Sequence, residues 1–295
     1  MRNISFTSHG TRCEAWHFTG VAAEPGRPCV VMAHGFGGTR DTGLLGYAGP
    51  FAAAGYDVLV FDYRSWGDSE GTPRQNVSCR RQREDYHAAI DAARRLPGVD
   101  PERIALWGTS YSGGHAVAVA AQDRRIAAVT AITPAMDGAA TLAHVVRRAG
   151  PGTLARLAGH GAIDLTRAAL GLAPHHLPIV GPPGSAAMMT SPGALEAVVP
   201  VAGPTWRNEV CARAALAVGL NRPTTFAGRL PCPILFQIGT RDSVAPPSAA
   251  RRAAAKAGRL ATIREYPVDH FDVYDGPWQR RAVTDQLHFL ARVLR

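Results

Sequence analysis

The sequence lacks any uninterrupted apolar stretch of the roughly 18 residues that a membrane-spanning helix needs. Its opening residues, MRNISFTSHG, also lack the apolar core of a secretion signal. Lysine is almost absent, since Lys256 is the only one, and arginine supplies nearly all of the positive charge. Because the sequence has neither an apolar span nor a secretion signal, we expect a cytoplasmic protein without a membrane partner.

The cysteines and histidines lack the spacing of disulfide frameworks and metal sites. The five cysteines are an odd number, are widely separated and include no Cys-x-x-Cys pair: Cys13, Cys29, Cys79, Cys211 and Cys232. Four histidines in the middle of the chain have no carboxylates at ligand spacing: His144, His160, His175 and His176. We therefore expect free thiols, no metal and no cofactor.

The net charge of +9 is not concentrated in one basic element. The densest run, SCRRQRED, is followed at once by Glu84 and Asp85, and no nucleic-acid-binding module is recognisable. We expect arginine-rich, solvated helix faces and no nucleic-acid partner. A positive field of this kind can also steer an anionic substrate or an acyl carrier towards the protein.

Short apolar runs alternate with helix-like stretches along much of the chain. An N-terminal segment, ISFTSHGTRCEAWHF, alternates apolar and polar residues and predicts a hairpin. The continuous runs typical of strands buried on both faces are residues 29–36, 57–64, 103–108, 126–134 and 233–239, and a further strand is predicted at 261–267. Helix-like stretches lie between them. This alternation predicts an α/β fold with a doubly wound, mostly parallel sheet.

The alternation lapses between Pro134 and the run at 233–239, over far more residues than an ordinary loop contains. We interpret residues 136–229 as a helical cap inserted into one α/β domain that spans residues 1–295. Its predicted helices are TLAHVVRRA, TLARLAGHGAIDLTRAALG and RNEVCARAALAVG. Five of its apolar residues are candidates for a substrate pocket, although such residues more often form a core: Leu177, Ile179, Met188, Met189 and Trp206.

Two serines lie in sequences that resemble the Gly-x-Ser-x-Gly nucleophile pattern. GDSEG at 67–71 matches to the letter, but loop residues follow it, so Ser69 lacks the helix that this turn requires. GTSYSGG at 108–114 delays the last glycine by one position, yet it lies between a predicted strand and a predicted helix. Context therefore favours Ser110 as the nucleophile.

With a nucleophile of this kind, the catalytic acid and then the histidine base follow the serine in the chain. Each is expected at the C-terminal end of a later strand. GTRDSVAP offers Asp242 and PVDHFDVY offers His270, which lies between the last predicted strand and the last helix. HGFGG at 34–38 follows the first parallel strand, so the backbone N–H groups of Phe36 and Tyr111 are the predicted oxyanion hole.

Other acids compete with Asp242. Asp137 follows a strand from which a carboxylate could also reach the histidine, whereas Asp269 and Asp272 are too near His270 in sequence to face its ring easily. The sequence favours Asp242 and keeps Asp137 as an alternative.

This ordered set of motifs resembles the α/β-hydrolase fold serine hydrolases, and the resemblance covers most of the chain outside residues 136–229. The WGTSYSGG form of the elbow is similar to a dienelactone-hydrolase-like and X-Pro-peptidase-like subgroup that includes thioesterases and acyltransferases of polyketide pathways. In such families the loop Asp-x-Arg-x-x-Gly-x-Ser, here DYRSWGDS, is structural. The match of GDSEG to the nucleophile pattern is thus coincidental.

The resemblance implies a serine hydrolase that cleaves a carboxylic ester or thioester of a small acyl substrate, either free or carrier-bound, through an acyl-enzyme. It leaves three alternatives open: an acyltransferase or cyclase with the same triad, a peptidase, and a non-catalytic ligand-binding homologue. A dehalogenase or epoxide hydrolase would have Asp in place of Ser110. A homodimer is also left open.

Overall fold

Ten strands form two sheets in the computed structural model, which describes residues 1–21 and 26–294. The strands are β1 Arg2–Ser8, β2 Thr11–Phe18, β3 Arg27–Ala33, β4 Asp57–Phe61, β5 Val99–Thr109, β6 Ile126–Ile132, β7 His176–Leu177, β8 Val210–Cys211, β9 Ile234–Gly239 and β10 Ala261–Tyr266. The main sheet has the order β1-β2-β4-β3-β5-β6-β9-β10. The pairs β1–β2 and β2–β4 are antiparallel and all the others are parallel.

Nine α-helices connect these strands in the described part of the chain. They are α1 Leu45–Ala53, α2 Cys79–Arg94, α3 Tyr111–Ala120, α4 Gly138–Ala149, α5 Pro151–Ala169, α6 Ala194–Val198, α7 Ala214–Ala217, α8 Pro247–Ala257 and α9 Gly276–Val293. No described helix is both long and apolar enough to cross a membrane.

The sheet is covered on both faces, as the continuous apolar runs predict. Along β3, Val30 and Met32 pack into a cluster with α1 and α9, whereas Val31 and Ala33 pack into a cluster with α2, α3 and α8. Successive side chains of a strand point to opposite faces, so one run of apolar residues serves both cores. The predicted α/β class and the doubly wound arrangement are confirmed.

The segment between β6 and β9 contains α4 and α5, as its periodicity predicts, but the helix predicted at 207–219 is wrong. Val210 and Cys211 form β8 instead, which pairs antiparallel with β7, and only α7 is α-helical in this stretch. The Cys211 N–H donates to Gln75 O at 2.9 Å and the Ala212 N–H to His175 O at 2.9 Å. These bonds to distant residues outweigh local helix propensity.

Candidate active site

Ser110 lies at the sharp corner between β5 and α3. Its backbone has φ 54° and ψ −117°, a conformation that costs energy in a residue with a side chain. The corner is tight, because a Cβ on Gly108 would lie 2.3 Å from the backbone oxygen of Ser112. The Ser112 hydroxyl, which stands where the standard pattern has glycine, accepts from the Thr109 N–H at 2.9 Å and donates to Ala33 O at 2.7 Å. The departure from the pattern thus ties the corner to β3.

Ser110, His270 and Asp242 form a continuous chain of hydrogen bonds. His270 Nε2 is 2.9 Å from Ser110 Oγ, and His270 Nδ1 is 2.8 Å from Asp242 Oδ2. The other carboxylate oxygen, Oδ1, accepts from the N–H groups of Val244 at 2.9 Å and Ala245 at 2.7 Å. All three side chains are buried. The acid can thus orient the imidazole so that Nε2 faces the serine oxygen.

Phe36 and Tyr111 line the same cavity as Ser110. Their rings meet edge to face, with centroids 5.6 Å apart. Tyr111 is the first residue of α3, so its N–H has no acceptor within the helix. Gly35 allows the other loop to approach closely, because a Cβ on Gly35 would be 3.1 Å from Ser110 Cβ. Two backbone segments are therefore brought to the nucleophile.

Ser69 and Asp137 have structural contacts of their own, apart from this chain. The Ser69 hydroxyl donates to Asp62 O at 2.7 Å and accepts from the Glu14 N–H at 2.8 Å. The Asp137 carboxylate caps α4 through the Ala140 N–H and pairs with Arg222 at 3.0 Å. The structure thus shows Ser69 in a loop brace and Asp137 at a helix end.

Asp269 has a role that the sequence analysis missed. Its Oδ1 accepts from the Ser243 N–H at 2.7 Å and from the His270 N–H at 2.6 Å, and its own N–H donates to Asp272 Oδ2 at 2.9 Å. It therefore connects the backbone beside Asp242 to the backbone of His270. Its position next to His270 was the only sequence signal.

A second group missed from sequence lies under the HGFGG loop. The buried Asp62 carboxylate accepts from the Arg40 N–H at 2.7 Å and lies 3.2 Å from Arg40 Nη1. Burial raises the pKa of Asp62 to about 7, although the Arg40 guanidinium opposes the shift. Burial lowers the pKa of His34 to about 4, so its imidazole is neutral at pH 7. Asp62 thus braces the loop that carries Phe36.

Two cavities meet at Ser110. The larger has a volume of about 420 Å³, and the smaller, of about 40 Å³, is lined by His270. Phe36, Ser110 and Met189 line both cavities. Of the apolar residues proposed from sequence as pocket residues, Met188 also lines the larger cavity, Ile179 and Trp206 line the smaller one, and Leu177 packs in a separate cluster with Leu157 and Ala212.

The clustered histidines mostly contact one another or the backbone. His160 Nδ1 lies 2.9 Å from His175 Nε2, His176 Nε2 lies 3.7 Å from Cys211 Sγ, and His144 Nε2 lies 3.1 Å from Ser243 O. Within residues 1–21 and 26–294, no three His, Cys, Asp or Glu side chains are grouped so that they could hold a metal ion. All five cysteines are free.

Comparison with known proteins shows which family the chain resembles in sequence. A family model described as X-Pro dipeptidyl-peptidase (S15 family) matches residues 10–169. The chain is 38% identical to the quorum-quenching protein AidA of Acinetobacter baumannii over 99% of its own length and 95% of that protein. It is 41% identical to the thiohydrolase aneE of Aspergillus aculeatus over 39% of its own length and 36% of that protein.

A solved structure extends the likeness to the whole fold. The α/β hydrolase GrgF from Penicillium sp. sh18 superposes with a TM-score of 0.85 at 23% identity, over 99% of this chain and 98% of that one. A curated sequence named polyketide transferase grgF, from Penicillium sp., is 35% identical over 46% of this chain and 45% of that protein. The α/β-hydrolase architecture is therefore shared along the full chain.

Proposed function

The chain belongs to the X-Pro dipeptidyl-peptidase (S15) family of α/β-hydrolase fold serine hydrolases, and on this premise we propose that Ser110, His270 and Asp242 are its catalytic triad. The observation that carries the proposal is the hydrogen-bonded chain in which His270 lies 2.9 Å from Ser110 Oγ and 2.8 Å from Asp242 Oδ2. The strained backbone of Ser110 supports it, since strain of this kind is a feature of nucleophile elbows.

In the first half of the reaction, Ser110 Oγ attacks the carbonyl carbon of an ester or thioester while His270 Nε2 takes the hydroxyl proton. The N–H groups of Phe36 and Tyr111 stabilise the oxyanion of the tetrahedral intermediate. His270 then gives its proton to the departing alcohol or thiol, and an acyl-enzyme remains. In the second half, His270 takes a proton from water, the water oxygen attacks the acyl-enzyme, and the carboxylic acid leaves as Ser110 regains its proton.

The two cavities suggest where each part of the substrate lies. His270 must reach the departing atom, and it lines the smaller cavity, so the leaving group lies on that side. The acyl group then occupies the 420 Å³ cavity, much of whose wall comes from residues 136–229, which we propose to be a cap over the active site. The cap's contact with the HGFGG loop supports this, since the Trp206 indole N–H donates to Gly37 O at 2.9 Å.

The cavity favours an esterase or thioesterase over a peptidase. An X-Pro peptidase substrate presents an N-terminal ammonium, which a carboxylate would bind. The charged side chain among the described residues that line the larger cavity is instead a cation, Arg148. A guanidinium repels an ammonium group. We also propose a cytoplasmic location, because five free thiols suit a reducing compartment.

Acyl transfer is the second candidate, and the likeness to a polyketide transferase favours it. The same triad would pass the acyl group to an alcohol or amine instead of water. Product analysis of one thioester, with and without added alcohols, distinguishes the free acid from a transferred acyl group.

The test of the triad is covalent labelling with a fluorophosphonate, followed by intact mass and peptide mapping. We expect one adduct, on Ser110, in the wild type and in Ser69→Ala, and none in Ser110→Ala. Ester turnover should vanish in Ser110→Ala, because no other hydroxyl contacts His270 Nε2 in the described structure. An adduct on Ser69, or equal loss of turnover in the two variants, would contradict the assignment.

A further inference from the structure

One face of α4 forms a wall of the larger cavity from the nucleophile outwards. Gly138, Thr141, Val145 and Arg148 all line it, at the spacing that places residues on one side of a helix. The first turn of α4 lies near Ser110, because the Ala135 N–H, just before it, donates to Ser110 O at 2.8 Å. The helix therefore leads away from the scissile bond towards Arg148.

Arg148 lies at the far end of this wall and is a cation without an anionic partner in the described chain. It is exposed, and no described carboxylate lies within ion-pair distance of its guanidinium. A second cation, Arg156, lies beside the lining residues Pro183 and Gly184, where its Nη2 donates to Ser185 O at 2.9 Å. The rest of the cavity wall is mainly apolar or neutral.

We propose that Arg148 is a specificity determinant that binds an anionic group at the distal end of the substrate's acyl chain. This inference rests on the proposed hydrolysis at Ser110. An acyl chain is bound by the apolar wall, and its terminal carboxylate replaces water at a guanidinium that has five donors and no competing carboxylate. The preferred substrate is then an ester or thioester of an ω-carboxyacyl group, rather than of a plain fatty acid.

The length of α4 sets the length of that chain. Gly138 and Arg148 are ten residues apart, or about 15 Å along the helix at ~1.5 Å per residue. Each C–C bond of an extended chain advances ~1.25 Å, and the hydrogen bond to the guanidinium spans ~3 Å, so roughly ten carbons cover the remaining distance. The decanedioyl group is therefore a suitable probe, with decanoyl as its neutral counterpart.

The experiment compares kcat/KM for the mono-p-nitrophenyl ester of decanedioic acid and for p-nitrophenyl decanoate. We expect the wild type to prefer the half ester by about three- to fivefold, the magnitude of an ion pair at an exposed site. Arg148→Gln should abolish this preference by lowering kcat/KM for the half ester towards that for the decanoate ester, and Arg148→Lys should retain part of the preference. About 0.5 M NaCl should weaken the wild-type preference for the half ester, because salt screens the ion pair.

Arg147→Gln is the matched control, because Arg147 is an exposed neighbour on the same helix that does not line the cavity. It should keep the wild-type preference. The proposal is overturned if the wild type does not favour the half ester, or if Arg147→Gln and Arg148→Gln reduce the preference equally.

A second comparison tests whether Arg148 recognises an anion on the acyl group or one on the leaving group. Decanoyl-coenzyme A carries its phosphates on the thiol, and the decanoyl thioester of N-acetylcysteamine carries none. Because His270 lines the other cavity, Arg148→Gln should change the ratio of these two rates by less than twofold, roughly the scatter of exposed charge effects. A loss confined to the coenzyme A thioester would place the anion on the leaving group and overturn the proposal.

Binding to Ser110→Ala separates this inference from the proposed function. Calorimetry on Ser110→Ala should show that decanedioate, a dianion, binds more tightly than decanoate. This difference in affinity should disappear in the double variant that also carries Arg148→Gln. If the wild type cleaves no ester but the calorimetric difference persists, the proposed reaction fails while the anion site stands. If neutral esters are cleaved and the dianion binds no better than decanoate, only the anion site fails.

Discussion

At the scale of the residue, the Asp242 carboxylate contacts the base with one oxygen and its own loop with the other. Oδ2 faces His270 Nδ1, while Oδ1 accepts two backbone N–H groups. An amide at this position has only one acceptor oxygen. It would either leave backbone donors unpaired or present N–H to the imidazole and favour the wrong tautomer.

We therefore expect Asp242→Asn to lower kcat by about four orders of magnitude, in line with the effect of this change in the well-studied serine protease triad. The measurement is steady-state hydrolysis of a p-nitrophenyl ester. Asp137→Asn is the control, since Asp137 caps α4 and pairs with Arg222, and its kcat should stay within about tenfold of the wild type. A greater loss from Asp137→Asn than from Asp242→Asn would show that the acid is misassigned.

At the scale of the element, the corner between β5 and α3 determines where the nucleophile points. Gly108 lies at this corner, and a methyl group there would be 2.3 Å from Ser112 O, which is backbone and cannot move aside. We expect Gly108→Ala to destabilise the fold by about 1–3 kcal/mol and to reduce ester turnover sharply, because the strain displaces Ser110. Urea unfolding and steady-state kinetics measure the two effects.

Gly159→Ala is the matched control for that substitution. Gly159 lies within α5, and an added Cβ would have no neighbour within 4 Å. Alanine there should stabilise the helix by about 0.5–1 kcal/mol and leave turnover unchanged. If Gly108→Ala behaved like Gly159→Ala, the steric account of the corner would be wrong.

At the scale of the whole molecule, buried neutral histidines make the fold sensitive to acid. Burial holds the pKa of His115 well below its usual range, and the nearby Arg83 guanidinium and His34 act in the same direction. The ring is surrounded by Gln82, which lies 3.1 Å from Nε2, and by the Tyr111 ring. In the unfolded chain the same histidine binds a proton near pH 6.5.

As pH falls below about 6.5, the unfolded chain gains a proton at His115 that the folded chain does not, so the stability that His115 contributes at higher pH is lost. We expect the free energy of unfolding of the wild type to decrease between pH 7 and about pH 5 by more than that of His115→Gln. Urea titrations at both pH values give the difference. His288→Gln, at an exposed position on α9, should behave like the wild type, and equal slopes for all three proteins would refute the account.

The sequence by itself determined the sheet and the identity of the hydrogen-bonded residues. Continuous apolar runs specify strands that need cover on both faces, and parallel strands place their following loops at one edge of the sheet. The order of the motifs therefore indicated Ser110, Asp242 and His270 before any distance was known. The choice between Ser110 and Ser69 also came from local context, since only Ser110 precedes a helix-forming stretch.

Only the tertiary structure decided the features that depend on contacts between distant residues. β8 replaces a predicted helix because the N–H groups of Cys211 and of Ala212, which follows the strand, find acceptors at Gln75 and His175, which no local pattern reveals. The bridge made by Asp269 and the position of Arg148 at the end of a cavity likewise depend on how separate elements pack. Local sequence fixes periodicity and turns, whereas hydrogen-bond partners and cavity walls are set by packing between segments that are far apart in the chain.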